Sequence, residues 1–241
     1  MAAKIARAKP MVFLITAGPT IEDIDPVRFI SNRATGKLGV EMARAALNAK
    51  RHTILIHGPL SETAQGRMPK DGTLFSDIAV RSAAQMHAAV VENFCVADVI
   101  IMNAAVTDFT PISISESKLK KKTSGLVMRL KPTVDILAEL GAAKTNPWRA
   151  GQSIIGFALE SGSGKTAAQR RKSAHAEAVR KLNEKNLDAI VLDSPAEMGS
   201  DKGSFNVILR DGRVQSFKDI SKEAFAEKLI QLATELQSTK S

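Results

Sequence analysis

Arg28, Asn32, Thr35 and Lys37 share one stretch, Asp25-Pro-Val-Arg-Phe-Ile-Ser-Asn-Arg-Ala-Thr-Gly-Lys-Leu-Gly39. Two cations, a hydroxyl and an amide that both donates and accepts are groups that bind phosphate or carboxylate. The stretch ends on Gly36 and Gly39 at the predicted start of a helix. Glycines let the backbone approach a ligand, and the N–H groups of a helix's first turn attract anions. A second group, Asn103-Ala-Ala-Val-Thr-Asp-Phe109, closes an apolar run and leaves Asp108 as a candidate metal ligand or base-recognising carboxylate. Lys118-Leu-Lys-Lys-Lys122 is a dense cationic run, and Lys181 and Lys185 stand one turn apart near a predicted helix end. From the residues alone each has a plainer reading. Asp108 caps a turn, the lysine run is a solvated face, and the lysine pair complements a helix dipole.

The elements that must position these groups alternate along the chain. Apolar runs of strand length are Val12 to Thr16, His52 to His57, Thr73 to Val80, Asp98 to Asn103, Ser153 to Ala158 and Asp188 to Leu192. Helical patterns are Gly36 to Ala49, Ser82 to Cys95, Val134 to Lys144, Thr166 to Lys185 and Ser221 to Gln237. Strands such as Val-Phe-Leu-Ile are apolar without alternation, as strands covered on both faces are. The expected fold is therefore α/β, a Rossmann-like, doubly wound, mostly parallel sheet with helices on both faces. Phe205 to Leu209 and Arg213 to Phe217 flank Asp211-Gly212, which predicts a C-terminal antiparallel hairpin. Residues 1–241 read as a single domain with a basic tail over 1–10 and a functional flap loop over 110–128, where Pro111, serines and the lysine run break the alternation.

Composition narrows the function classes. The 34 basic and 25 acidic residues leave a net charge of +9, which suits either nucleic acid or small anionic substrates. Only 4% of residues are aromatic and none is Tyr, so stacking platforms for single strands are poorly supplied and nucleotide-sized ligands fit better than polynucleotides. No apolar run reaches the roughly 18 residues of a membrane span, and no signal peptide is legible, so a cytoplasmic protein without membrane partners is expected. Cys95, the one cysteine, excludes an internal disulfide and is expected in the core. Ser161-Gly-Ser-Gly-Lys-Thr166 imitates a phosphate-wrapping loop, but Leu159 stands where that loop's first glycine belongs. No G-x-G-x-x-G follows the first strand, which weakens a dehydrogenase reading. His52, His57, His87 and His175 have no metal-ligand spacing.

Taken together, Ile15-Thr-Ala-Gly-Pro-Thr, the Asp25–Gly39 block, Ala104-Ala-Val-Thr-Asp-Phe, Lys118-Leu-Lys-Lys, Ile155-Gly-Phe-Ala and Lys181-Leu-Asn-Glu-Lys-Asn-Leu-Asp resemble phosphopantothenoylcysteine synthetase, the C-terminal-type domain of the DNA/pantothenate metabolism flavoproteins. The resemblance runs from about Pro10 to Leu236, and an unfused member, without a flavodoxin-like half, is expected. It implies a ligase of coenzyme A biosynthesis. The carboxylate of 4′-phosphopantothenate attacks the α-phosphorus of CTP (ATP in animal members) with Mg²⁺, and L-cysteine's amine then displaces the monophosphate. It also implies a homodimer and, for an unfused member, a separate decarboxylase.

The resemblance assigns roles by position. Asn32 supports formation and turnover of the acyl intermediate, and Lys118 neutralises charge during transfer. Asp108 stands at the nucleotide and metal. Met102, Asn103 and Ala104, and Val134, Asp135, Ile136 and Leu137, surround the cytidine with Phe157. Lys181 and Lys185 contact the nucleotide, while Arg28 and Thr35 join Asn32 on the acid substrate. Departures fall at Thr133-Val-Asp-Ile136, Ala34-Thr35 and Leu192-Asp193, where the family commonly has Asn-Pro-Asp-Ile, Ser-Ser and Asn-Asp. A catalytically silent nucleotide-binding protein of the same fold is the rival expectation.

Overall fold

The computed structural model describes residues 10–70, 72–121, 125–146, 151–160, 162–194 and 199–240. Most of the basic tail, Lys122 of the lysine run and Ser161 lie outside the described residues. Eight strands form the main sheet: β1 (Val12–Ala17), β4 (His52–His57), β5 (Phe75–Ala79), β6 (Val99–Met102), β9 (Ser153–Leu159), β10 (Ala189–Asp193), β11 (Lys202–Leu209) and β12 (Val214–Ser221). Their order is β12-β11-β10-β9-β6-β1-β4-β5. From β5 to β10 every neighbouring pair is parallel, and β11 and β12 add antiparallel to that edge. The chain leaves β1 toward β4 on one side and returns beyond it to β6. This makes the β1–β6 boundary a switch point, where open α/β sheets bind ligands beyond the strands' carboxyl ends.

Both faces are covered. Phe13 and Ile15 of β1 point to the side packed by α1 (Lys37–Asn48) and α6 (Lys222–Ser238), joining Val40, Met42, Phe225 and Leu229. Leu14 points to the side of α3 (Ala83–Phe94), α4 (Ile136–Ala143) and α5 (Ala167–Glu184), with Val90, Phe94, Leu140 and Leu182. This accounts for the uninterrupted apolar strands. The Asp211-Gly212 turn joins β11 to β12 as expected, and Phe225 stacks on Phe205 with ring centroids 3.9 Å apart, docking α6 on the hairpin.

Three departures from the sequence expectations stand out. Two short antiparallel pairs lie outside the main sheet: β2 (Ile21–Asp23) with β3 (Phe29–Ser31), and β7 (Phe109–Pro111) with β8 (Leu130–Pro132). The expected flap over 110–128 is thus the loop of a hairpin whose base is paired, down to Ile112 N–H on Arg129 O at 3.1 Å. Glu62–Gln65 forms a further short helix, α2, capped by Ser61. Cys95 is exposed at the end of α3, because the apolar face of that helix is completed by Phe94 instead.

Candidate active site at the switch point

A cleft of about 630 Å³ opens beyond the carboxyl ends of β1 and β6. The start of α1 forms one wall. Gly36 is its N-cap at φ 78°, a left-handed conformation natural to glycine, and offers no capping side chain; Thr35 Oγ1 accepts from Lys37 N–H at a long 3.4 Å. Gly39 lets α1 lie against β1, since a Cβ there would fall 2.3 Å from that of Ala17. The uncapped first turn therefore faces the cleft beside Asn32, Thr35 and Lys37, an arrangement that favours an anion. Asn32 is exposed, and its Nδ2 donates to Ala105 O at 2.9 Å, which fixes the amide's orientation and directs its oxygen away from that carbonyl.

The opposite wall comes from β6, β9 and α4. Met102, Asn103 and Ala104 continue from β6, with Ala104 N–H held by Thr16 Oγ1 at 3.0 Å. Val134, Asp135, Ile136 and Leu137 open α4, and Phe157 and Lys185 complete this end. Asp135 caps α4 by accepting from Ala138 N–H at 3.0 Å and pairs with Lys185 Nζ at 2.8 Å. Burial works against charge on Asp135, but Lys185 and the Ala138 N–H outweigh it and hold the carboxyl below the usual carboxylate range.

Asp108 is an exposed carboxylate at the cleft, on a loop fixed by buried polar contacts. Thr107 N–H donates to Thr20 Oγ1 at 2.9 Å, Thr133 Oγ1 to Thr107 O at 2.6 Å, and Thr133 N–H to Asp108 O at 2.9 Å. Among the described residues no group of three or more His, Cys, Asp and Glu side chains is placed to hold a metal ion. Magnesium is commonly bound through one or two carboxylates together with phosphates and water, and an exposed carboxylate such as Asp108 is a donor of that type.

Three expected site residues stand outside the cleft lining. Arg28 pairs with Asp25 at 2.7 Å, Lys181 is held by Glu160 at 2.5 Å, and Lys118 is exposed on the β7–β8 loop. Conversely, Lys222 and Gly199 line the cleft without having been singled out, and Asp193, noted only as part of the Leu192-Asp193 departure, lines it too. Lys222 is buried at the start of α6, and its N–H on Asp201 O at 3.0 Å, with the Lys37–Asp201 ion pair, ties that helix to the start of α1. Nothing local in sequence links Lys37 with Lys222; only the sheet brings them together. Among the described residues, none from Gly162 to Thr166 lines the cleft. The α5 N-terminus is satisfied by its own capping box of Thr166 and Gln169.

With this geometry in view, residues 9–236 match the family model of the DNA/pantothenate metabolism flavoprotein C-terminal domain. The chain belongs to this family. Among relatives of this DNA/pantothenate metabolism flavoprotein domain is the coenzyme A biosynthesis bifunctional protein CoaBC of Bacillus subtilis (strain 168), 38% identical over 213 residues, 87% of this chain and 47% of that one. CoaBC of Mycobacterium bovis is 34% identical over 222 residues, covering 90% of this chain and 50% of that one. The chain thus spans about half the length of these relatives. The crystal structure of the C-terminal domain of CoaBC is similar at TM-score 0.72 and 31% identity, covering 95% of this chain and 96% of that one. A Cab2 mutant in complex with phosphopantothenate-cysteine shares the fold at TM-score 0.75 and 16% identity, over 95% of this chain and 87% of that one.

Proposed function

We propose that this domain joins 4′-phosphopantothenate to L-cysteine, giving phosphopantothenoylcysteine in coenzyme A biosynthesis, with CTP as the activating nucleotide and ATP as the alternative. The observation that carries the reading is the pairing, in one cleft, of the uncapped α1 start beside Asn32 with the Val134–Leu137, Phe157 and Lys185 wall, in a chain whose relatives include CoaBC. The substrate carboxylate attacks the α-phosphorus and pyrophosphate leaves; the amine then attacks the acyl carbon and expels the monophosphate, which keeps the attacking oxygen. Asn32 hydrogen-bonds the acyl group, and Thr35 with the α1 start holds substrate oxygens. Met102–Ala104, Val134–Leu137 and Phe157 enclose the base, with Lys185, and Lys181 from the rim, on the nucleotide. Lys118 and Arg28, outside the cleft lining, are assigned by the family resemblance, Lys118 to the transferring phosphates and Arg28 to the acid's phosphate. Asp108 would hold Mg²⁺, which supplies charge neutralisation on the triphosphate. Most of the acceleration then comes from positioning and fixed charge, as in phosphoryl transfer generally.

A homodimer fits the two small hairpins. Val27, Phe29, Ile112, Ile114, Leu126 and Val127 are exposed there, with Val127 93% accessible, and apolar side chains gathered this way mark an interaction surface. Among the described residues no helix is long and apolar enough to cross a membrane. We place the enzyme in the cytoplasm, with the next step, decarboxylation of the cysteinyl carboxylate, carried by another domain or a separate protein. The test is product mass from 4′-phosphopantothenate, L-cysteine and Mg²⁺ with CTP or ATP in parallel. Amide product with either nucleotide supports the reading; nucleotide binding without product in both arms would move the domain to the silent binding class.

A further inference from the structure

Asp25 is buried, with its carboxylate inaccessible, yet it lies in none of the cleft's walls. Its Oδ1 accepts from Val27 N–H at 2.8 Å and Arg28 N–H at 2.9 Å, which closes the loop between β2 and β3. Its Oδ2 accepts from Leu119 N–H at 3.1 Å, ninety-four residues along the chain, and pairs with Arg28 Nη2 at 2.7 Å. Arg28 Nη2 in turn donates to Leu119 O at 2.5 Å. Both peptide planes flanking Leu119 are therefore held by one ion pair, the first of them being the Lys118–Leu119 bond itself. Ser115 N–H on Ile24 O at 3.0 Å adds a second point of attachment. An exposed, lysine-rich segment anchored at its root by a buried carboxylate is not what a merely solvated charge run requires.

We propose that Asp25 is a positioning residue for Lys118, fixing the root of the lysine-rich segment so that the ammonium is delivered to the phosphates undergoing transfer. This rests on the reading of Lys118 given above. Arg28 spends Nη2 on the clamp, and its Nε and Nη1 make no hydrogen bond among the described residues. A guanidinium has five donors, so Arg28 can engage a substrate phosphate while still holding Leu119. The clamp thus joins the acid's phosphate contact to the cation that serves the nucleotide.

The test is a double-mutant cycle on pyrophosphate release with Asp25→Asn, Lys118→Met and the double variant, each checked for folding by circular dichroism. Asp25→Asn is expected to lower kcat about tenfold, with little change in the nucleotide KM, and to have no further effect once Lys118 is Met. Independent, multiplying effects would overturn the proposal. If Asp25→Asn does not fold, hydrogen exchange in the native protein decides. The Leu119 amide is expected to be protected, and exchange at the rate of an open loop would overturn the clamp. Exchange is read without turnover, so an absent ligase reaction and an absent clamp give different results.

Discussion

Lys185 Nζ lies within hydrogen-bonding distance of both carboxylate oxygens of Asp135, 3.0 Å from Oδ1 and 2.8 Å from Oδ2, while Oδ1 also caps α4. One carboxylate therefore sets the start of the helix at the proposed base pocket and holds the lysine beside it. Lys185→Met is expected to raise the nucleotide KM about tenfold with kcat little changed, the loss of one charge-assisted hydrogen bond. Asp135→Ala is expected in addition to cost about 1 kcal/mol of stability through the lost cap. Steady-state kinetics and urea unfolding separate the two. Equal KM values in wild type and Lys185→Met would remove the lysine from the nucleotide site.

Asn32 is oriented by its 2.9 Å bond to Ala105 O. Asn32→Asp replaces the donor NH₂ with an acceptor and adds a negative charge where an acyl intermediate forms. Product formation is expected to fall by about a hundredfold or more, the scale seen when a donor to developing charge is removed. Product formation at the wild-type rate would take Asn32 out of the chemistry.

Away from the cleft, Asp188 accepts from Lys144 at 2.7 Å, Lys240 at 2.6 Å and Ile154 N–H at 2.7 Å. It joins the starts of β9 and β10 to the C-terminal end of α6. Burial opposes its charge, but the two lysines and the N–H prevail and hold the carboxyl below its ordinary value. A carboxylate depressed in the folded state stabilises fully above its unfolded pKa, about 4, and that contribution is lost as pH falls through the folded value. Asp188→Ala is expected to cost about 3 kcal/mol near neutral pH, since it strands partly buried lysines, and to flatten the acid limb of stability. Urea midpoints across the acid range check both; an unchanged acid limb would show that other carboxylates govern it.

For the proposed dimer, Phe29→Glu places a charge in the exposed apolar hairpin surface. The expected result is a shift from dimer to monomer in sedimentation velocity, with the circular dichroism spectrum retained. A variant that still sediments as a dimer would place the interface elsewhere.

The main sheet was legible because its strands are buried on both faces. Val12–Ala17 and Val99–Met102 carry an apolar signal that needs no partner to be recognised, and Asp211-Gly212 announces its hairpin locally. The β2–β3 and β7–β8 pairs were not legible. Each strand has three residues, too short for alternation to register; β7 and β8 each end on a proline, and eighteen residues of loop separate them. The same holds for the site. The Asn32–Leu38 wall is contiguous in sequence and could be read there, whereas Lys222 reaches the cleft only because α6 packs against α1. Arg28 belongs to the Asp25–Gly39 block and Lys118 to the lysine run, and the attachment of both segments to Asp25, through Arg28 and Leu119, depends on a contact that no local pattern encodes.

The most direct test of the central claim follows one oxygen atom. 4′-Phosphopantothenate with a heavy-oxygen label in its carboxylate is incubated with the protein, L-cysteine, Mg²⁺ and CTP or ATP, and the nucleotide products are weighed by mass spectrometry. Attack at the α-phosphorus predicts that one labelled oxygen ends in the nucleoside monophosphate, with unlabelled pyrophosphate released. Label in inorganic phosphate, with nucleoside diphosphate as co-product, would instead mean attack at the terminal phosphorus and would contradict the acyl-nucleotidylate.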